Sequence, residues 1–235
     1  MNIVSLSYGK DSTAMLLMML ERGIQVDKII FADTQYELPE MIEYQKVIDK
    51  LLLQAYGLIV TKTKPETTFE HWFYNKPVRG ENMENIRGFP TVVFPWWSRE
   101  AKIKPIQKEE GTGNILYIGI AKDEEERSKA KMYINKKNKY KFPLVKWNIS
   151  EKECYAYLKK RNLQPPTKLR TGCWWCPKQS KKSLKNLHNN HPELWKQLKQ
   201  WEKDSPNGFK IDFTLDKFEV YMIEENKQTS VYDYE

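Results

Sequence analysis

The feature that most restricts this chain is its opening, Ile3-Val4-Ser5-Leu6-Ser7-Tyr8-Gly9-Lys10-Asp11-Ser12, where a short apolar run breaks into a small, charged turn. Residues 13–22 continue as an apolar, helix-forming segment and Gly23 supplies its stop, so the turn falls where a strand passes into a helix N-terminus. There the free backbone N–H groups and the positive end of the helix dipole face one point. Gly9 permits close backbone approach, Lys10 adds a mobile charge, and phosphate is the expected guest. The turn is not a Walker loop: no glycine precedes Gly9, and an acid, not a hydroxyl residue, follows Lys10. A plain polar strand-to-helix turn is the alternative.

The following segments set that turn in a parallel α/β domain. Residues 27–32 (DKIIFA) read as a second buried strand, and Pro39 opens a helix with Met41, Tyr44, Ile48, Leu51 and Ala55 on one face until Gly57. Residues 58–61 supply a third strand and 114–121 (NILYIGIA) a strong fourth, followed by a charged turn from Lys122 to Arg127 that leads into a helix. Residues 142–147 read as a further strand. The predicted fold is α/β, a doubly wound parallel sheet over residues 1–150, with a mainly helical, Cys-containing extension over 151–235. Ligands of such sheets bind beyond the carboxyl ends of the strands, where the opening turn, Asp33 and Asp123 all fall. Asp33 there serves a ribose hydroxyl or a metal ion, or caps a helix.

At 235 residues and 40% hydrophobic, the chain can fill a core of this size. Lys and Arg exceed Asp and Glu by eight, which suits an anionic partner or a solvated lysine-rich surface equally. The first strand starts close to Met1 with no charged or apolar leader, and the apolar run 14–20 is too short to span a bilayer, so no membrane and a cytoplasmic location are expected. Residues 64–114 are broken by seven or more Pro and Gly and read as long connections. Their aromatic-basic segment, Phe94 to Ile106, is fit either to stack a base and hold a phosphate or to pack loops onto the sheet.

Ser150 and Glu153 form a capping box for a helix that carries Cys154 and ends near Arg161. Then come the turn Gly172-Cys173-Trp174-Trp175-Cys176-Pro177, a helix over 180–187, a last clear helix over 191–203, and a mixed tail. Three cysteines without an export signal point to reduced thiols. Cys173 and Cys176 are spaced to share a tetrahedral thiophilic ion, with Cys154, His188 or His191 as further ligands. A zinc ion, an iron–sulfur cluster, a redox pair and a buried structural turn all stay open.

Taken in order, Ser7-Tyr8-Gly9-Lys10-Asp11-Ser12, Phe31-Ala32-Asp33-Thr34 with Glu37, Gly88-Phe89-Pro90 before the aromatic-basic segment, and Gly119-Ile120 with Asp123, Glu124 and Arg127 resemble the phosphoadenosine phosphosulfate reductase-like branch of the PP-loop ATP pyrophosphatases. The likeness spans roughly residues 1–200 and includes mobile-element relatives. It implies an adenine nucleotide alpha hydrolase-like fold in which Ser7, Gly9, Lys10, Asp11 and Ser12 hold phosphates or sulfate. By the same resemblance Asp33, Gly119, Asp123 and Arg127 complete the pocket, and Lys102 matches a basic position. The mobile-element relatives carry a Cys in the capping-box helix and a Cys pair in a Trp-rich turn, matching Cys154, Cys173 and Cys176. The reductase thiolate is missing, since no Cys follows Cys176, and Trp97 stands where such relatives often carry a Cys.

The expected activity is therefore ATP- and Mg²⁺-dependent adenylation of a second substrate with release of pyrophosphate, for sulfur transfer to, or modification of, a nucleic acid such as tRNA or DNA. Lys10, Asp11, Asp123 and Arg127 are its catalytic candidates. The alternatives are a protein that binds an adenylyl-sulfate nucleotide and a nucleotide-binding interaction protein without turnover.

Overall fold

The computed structural model describes residues 1–75, 86–91, 93–134, 137–166 and 172–232. They form two compact units, Met1–Pro65 with Ser98–Cys173, and Glu66–Trp97 with Trp174–Glu235. Among the described residues no helix is long and apolar enough to cross a membrane.

The first unit opens β1 (Asn2–Ser5), α1 (Lys10–Glu21), β2 (Lys28–Ala32), α2 (Pro39–Tyr56) and β3 (Val60–Thr63). All five strands of its sheet are parallel, in the order β3-β2-β1-β4-β5 with β4 at Ile115–Ile118 and β5 at Lys139–Lys141. Alternation along the strands divides the core by face. Val4, Ile29, Phe31 and Tyr117 join the apolar side of α1 and α2, while Ile3, Ile30 and Leu116 meet Ile106 on the other face. Ile106 belongs to α5 (Lys104–Glu110), reached through α4 (Trp96–Ser98) and a π-helical turn, Arg99–Ile103. Helices on both faces make the sheet doubly wound, as its sequence pattern implies.

Strand limits differ from the sequence expectation where local chemistry intervenes. Gly57 takes a left-handed conformation that closes α2, Leu58 N–H returns to Leu52 O, and β3 starts only at Val60. Residues 142–147 are not a strand. Pro143 brings a fixed φ and no N–H to donate to a ladder, so it opens a helical turn, α6 (Pro143–Lys146), and Trp147 N–H closes on Pro143 O at 2.8 Å. The pairing falls instead on the three residues before it.

The compact units do not divide at residue 150 either. The helix α7 (Glu151–Lys159), started by the capping box of Ser150 and Glu153, buries Cys154 and Leu158 completely in the core that holds Ala14 and Met18 of α1. Nothing in a composition count reveals that this helix packs in the same layer as α1.

The second unit contains α3 (Phe69–Asn75), α8 (Lys181–Asn190), α9 (Pro192–Asp204) and α10 (Leu215–Tyr232) around an aromatic core. Phe69 stacks on Trp175 with ring centroids 3.8 Å apart and also meets Trp96, Trp97 and Trp201. Trp96 and Trp97 are thus buried beside Phe69, and neither ring is free to stack a base. Gly88 of the Gly-Phe-Pro motif is used in the same core: its φ is 69°, and a Cβ there would lie 2.4 Å from Ser205 Oγ, which accepts the Phe89 N–H. The tail after residue 204 carries a helix that its composition hides, because Leu215, Phe218 and Met222 recur at helical spacing and are buried. Residues 233–235 lie outside the described ones.

Candidate functional site

The turn after β1 is a hydroxyl-braced loop. Leu6 N–H still pairs with Ile30 O, so the chain leaves the sheet only at Ser7. Ser7 N–H donates to Ser12 Oγ at 3.1 Å, the two hydroxyls lie 2.9 Å apart, and Gly9 O accepts the Thr13 N–H of the first helical turn. Gly9 is extended, with φ −75° and ψ 162°, while the left-handed residue is Tyr8 at φ 53°. An L side chain pays for that conformation. Tyr8 is held there by complete burial, by an edge-on contact with Phe31 at 4.8 Å and by a hydrogen bond from its hydroxyl to Asp49. Sequence reasoning put the backbone freedom on the glycine; the structure puts it on an anchored tyrosine.

Lys10 begins α1, and its Nζ lies 2.9 Å from Glu151 and 3.2 Å from Asp11. Burial acts to lower this ammonium, but Glu151 and Asp11 outweigh it and hold Lys10 above the ordinary lysine value. It is fully charged at neutral pH. Burial likewise pushes the Asp11 carboxyl up, against the pull of Lys10. Glu124 joins them: one ligand atom from each of Asp11, Glu124 and Glu151 lies within 4.8 Å of the others, the one such grouping of three among the described residues. Three carboxylate oxygens suit a hard divalent cation such as Mg²⁺. Glu124 and Glu151 were not singled out as site residues from sequence. Glu151 is the first residue of α7, and only packing of α7 on α1 delivers it to the loop.

Gly119 ends β4 against this loop, and its role is steric. A Cβ on it would lie 2.6 Å from Ser12 Cα and 2.8 Å from Ser12 N. Asp123 accepts the Glu151 N–H at 3.0 Å and so anchors the start of α7, while the exposed Arg127 pairs with Glu124. Asp33, at the end of the neighbouring strand, accepts the Gln35 N–H at 2.8 Å in a local turn. Lys102, on the π-helical turn, lies near Glu37. Burial pushes the Glu37 carboxyl up, opposed by Lys102 and by the Gly172 N–H.

The structure therefore gathers Ser7, Gly9, Lys10, Asp11, Ser12 and Gly119 in one place, with Asp123 and Arg127 supporting its acidic wall. It does not gather the thiols of the first unit. Cys154 is wholly buried against Asp11, and burial first, then Asp11, pushes its thiol up to about 12. Cys173 is hydrogen-bonded to Thr34 Oγ1 at 3.2 Å. Cys176 belongs to the second unit and is half-buried. No group of three potential ligands among the described residues includes a cysteine. With Ellman's reagent at about pH 8, Cys176 is expected to react in the native protein and Cys154 only after unfolding. Equal native rates would show that α7 does not seal its thiol.

Three comparisons with known proteins give relatives of this chain. The model of the phosphoadenosine phosphosulfate reductase domain matches residues 1–179. An uncharacterized protein of Methanocaldococcus jannaschii is 26% identical over 219 residues, 85% of this chain. The chain spans only 40% of that relative's length. Among solved structures, a phosphoadenylyl-sulfate reductase of Candida auris, in a phosphate complex, superimposes with TM-score 0.45 and 15% identity, covering 74% of this chain and 81% of its own. The U34-tRNA thiolase NcsA of Methanococcus maripaludis, with its 4Fe-4S cluster, gives TM-score 0.45 and 17% identity over 86% of this chain and 70% of its own. With a parallel sheet, a braced loop at the N-terminus of α1 and a family match over 179 residues, the chain belongs to the phosphoadenosine phosphosulfate reductase domain family.

Proposed function

We propose that this chain binds ATP at the loop of residues 7–12 and adenylates an oxygen of a second substrate, a nucleic acid, with release of pyrophosphate. The observation that supports this reading is the pairing of a cationic helix start, Lys10 on the first turn of α1, with a three-carboxylate wall of Asp11, Glu124 and Glu151. Phosphate oxygens are drawn to the first, and a Mg²⁺ ion that those oxygens share fits the second.

In that reaction the acceptor oxygen bonds to the α-phosphorus, the bond from that phosphorus to the α,β-bridging oxygen breaks, and pyrophosphate leaves with the electron pair. The acceptor's proton passes to solvent. A sulfur or nitrogen nucleophile then displaces AMP from the activated carbon. Lys10, which exchanges its present contacts with Glu151 and Asp11 for phosphate oxygens, and the N–H groups at the start of α1 take up charge on the departing pyrophosphate. A bound Mg²⁺ would neutralise phosphate charge and hold the chain of phosphates in line. Cys154 lies against Asp11 and Cys173 is hydrogen-bonded to Thr34, and no step is assigned to the thiols.

The experiment is product analysis. Incubated with ATP, Mg²⁺ and pools of tRNA or DNA, the protein is expected to yield AMP and pyrophosphate in equal amounts, whereas ADP as the sole product overturns the proposal. Family membership favours a second reading, in which an adenylyl-sulfate nucleotide fills the same loop. Sulfite release from that nucleotide with a thiol reductant, and no pyrophosphate from ATP, would replace the first reading by the second.

A further inference from the structure

Tyr8, at φ 53°, makes the left-handed turn of the loop, while the residues on either side of it are held by hydroxyls. Gly9 N–H meets Ser7 Oγ at 3.4 Å, and Ser12 Oγ meets Gly9 O at 3.3 Å. The N–H and C=O of Tyr8 itself make no hydrogen bond among the described residues. Its conformation therefore rests on its side chain, which is wholly buried and reaches Phe31 of β2 and Asp49 of α2. Asp49 uses both carboxylate oxygens: Oδ1 accepts the Tyr8 hydroxyl, and Oδ2 lies 2.7 Å from Lys62 Nζ on the edge strand β3. The same ammonium stands 5.9 Å from the centre of the Tyr8 ring. Burial first, then Asp49, pushes the phenol up, so Tyr8 stays a hydrogen-bond donor at neutral pH.

Aspartate is a poor helix former, and Asp49 stands in the interior of α2, far from the first turn where a carboxylate favours the helix dipole. Tying α2 to the sheet is its plainest role. An apolar residue would do that without the desolvation that a carboxylate incurs. What the carboxylate adds is direction. The rotamer of a side chain is coupled to the φ and ψ of its own backbone, so an acceptor that fixes the hydroxyl also fixes the turn. An L residue released from such an anchor returns to the right-handed or extended regions, and the N–H groups that follow it, those of Gly9 and Lys10, change direction. A glycine at position 8 would reach the same φ freely, but it would leave the loop loose. The anchored tyrosine gives a loop already ordered before a ligand arrives.

We infer that Asp49 is a positioning residue of the loop: by accepting the Tyr8 hydroxyl, with Lys62 balancing its charge, it keeps Tyr8 left-handed and so holds the Gly9 and Lys10 N–H groups in the arrangement that receives phosphate. Asp49 touches no ligand and acts through Tyr8. That the guest is the phosphate chain of ATP rests on the adenylation reading, whereas the clamp on the loop does not.

The test uses the full chain, with calorimetric titration of ATP in the presence of Mg²⁺ and hydrogen–deuterium exchange of the peptide spanning residues 7–12 without nucleotide. Tyr8→Phe and Asp49→Ala are each expected to weaken ATP binding by about tenfold, and the double variant by no more than either alone, since both remove one bond. Loop exchange is faster in all three. Asp49→Asn keeps an oxygen for the hydroxyl and returns the affinity to within about threefold of the unaltered chain. Tyr74→Phe breaks the same kind of bond, to Asp204 in the second unit, and leaves both readouts within about twofold. Unaltered affinity and loop exchange in Asp49→Ala, additive losses in the double variant, no recovery in Asp49→Asn, or an equal loss in Tyr74→Phe overturns the proposal. The two readings fail separately. Faster loop exchange in Asp49→Ala of a chain that binds no ATP keeps the clamp and removes the adenylation reading, and ATP binding indifferent to Asp49 does the reverse.

Discussion

Lys10→Ala is expected to lower pyrophosphate release from ATP by about a hundredfold to a thousandfold, the usual cost of removing one preorganised charge from a developing anion. The reason lies in what the loop offers without it. The N-terminus of α1 still presents N–H groups, but Asp11 and Glu151 would then face the phosphates with no cation between them. Substrate binding and turnover should both suffer, since the repulsion acts on bound ATP and on its transition state. Glu151→Gln is the informative companion. It removes one carboxylate that now occupies Lys10, so the ammonium is freed while a potential Mg²⁺ ligand is lost. An unchanged Mg²⁺ dependence in Glu151→Gln would remove Glu151 from the acidic wall. Single-turnover measurements with a range of Mg²⁺ concentrations separate these effects. Full activity in Lys10→Ala would show that the loop does not grip the nucleotide.

Gly119→Ala is expected to be the most disruptive single methyl group in the first unit. Its Cβ would meet the backbone of Ser12 at 2.6 Å, well inside van der Waals contact, and the obstacle is backbone rather than a side chain that can swing aside. Either β4 or the first turn of α1 has to move. Overpacking of this kind costs about 1–3 kcal/mol, visible as a lower urea midpoint with an unchanged slope. The same shift displaces Ser12, whose hydroxyl braces Ser7, so nucleotide affinity should fall beyond what the stability loss explains. A variant with wild-type stability and affinity would mean that Gly119 is not a spacer between β4 and α1.

How much of this was legible beforehand depends on the range of the interaction. The loop, its helix, the run of buried strands and the capping box are local patterns, readable because apolar periodicity and cap chemistry act over a few residues. Pro143 shows the limit: an apolar run that looked like a strand was overruled by one residue that cannot donate a ladder hydrogen bond. The late helix over Leu215–Tyr232 shows another, since the buried Leu215, Phe218 and Met222 are diluted among charges and its partners Lys199 and Glu202 lie on α9. The aromatic segment illustrates a third. Trp96 and Trp97 are of the right chemistry to stack a base, and only the burial of both rings beside Phe69 shows that they are core.

The sequence by itself determined the parallel α/β class and the position of the strand-to-helix turn at residues 7–12, because a strand passing into a helix is specified by the order of neighbouring residues. Tertiary structure alone decided what surrounds that turn. It brought Glu151 and Glu124 to Asp11 across more than a hundred positions of chain, put Cys154 beneath the loop and apart from Cys173, and made Gly119 the spacer between β4 and α1. The physical reason is that such groupings arise from packing of helices onto a closed sheet order, β1 beside β4 and α7 against α1, and no local propensity encodes which distant carboxylate a lysine will meet.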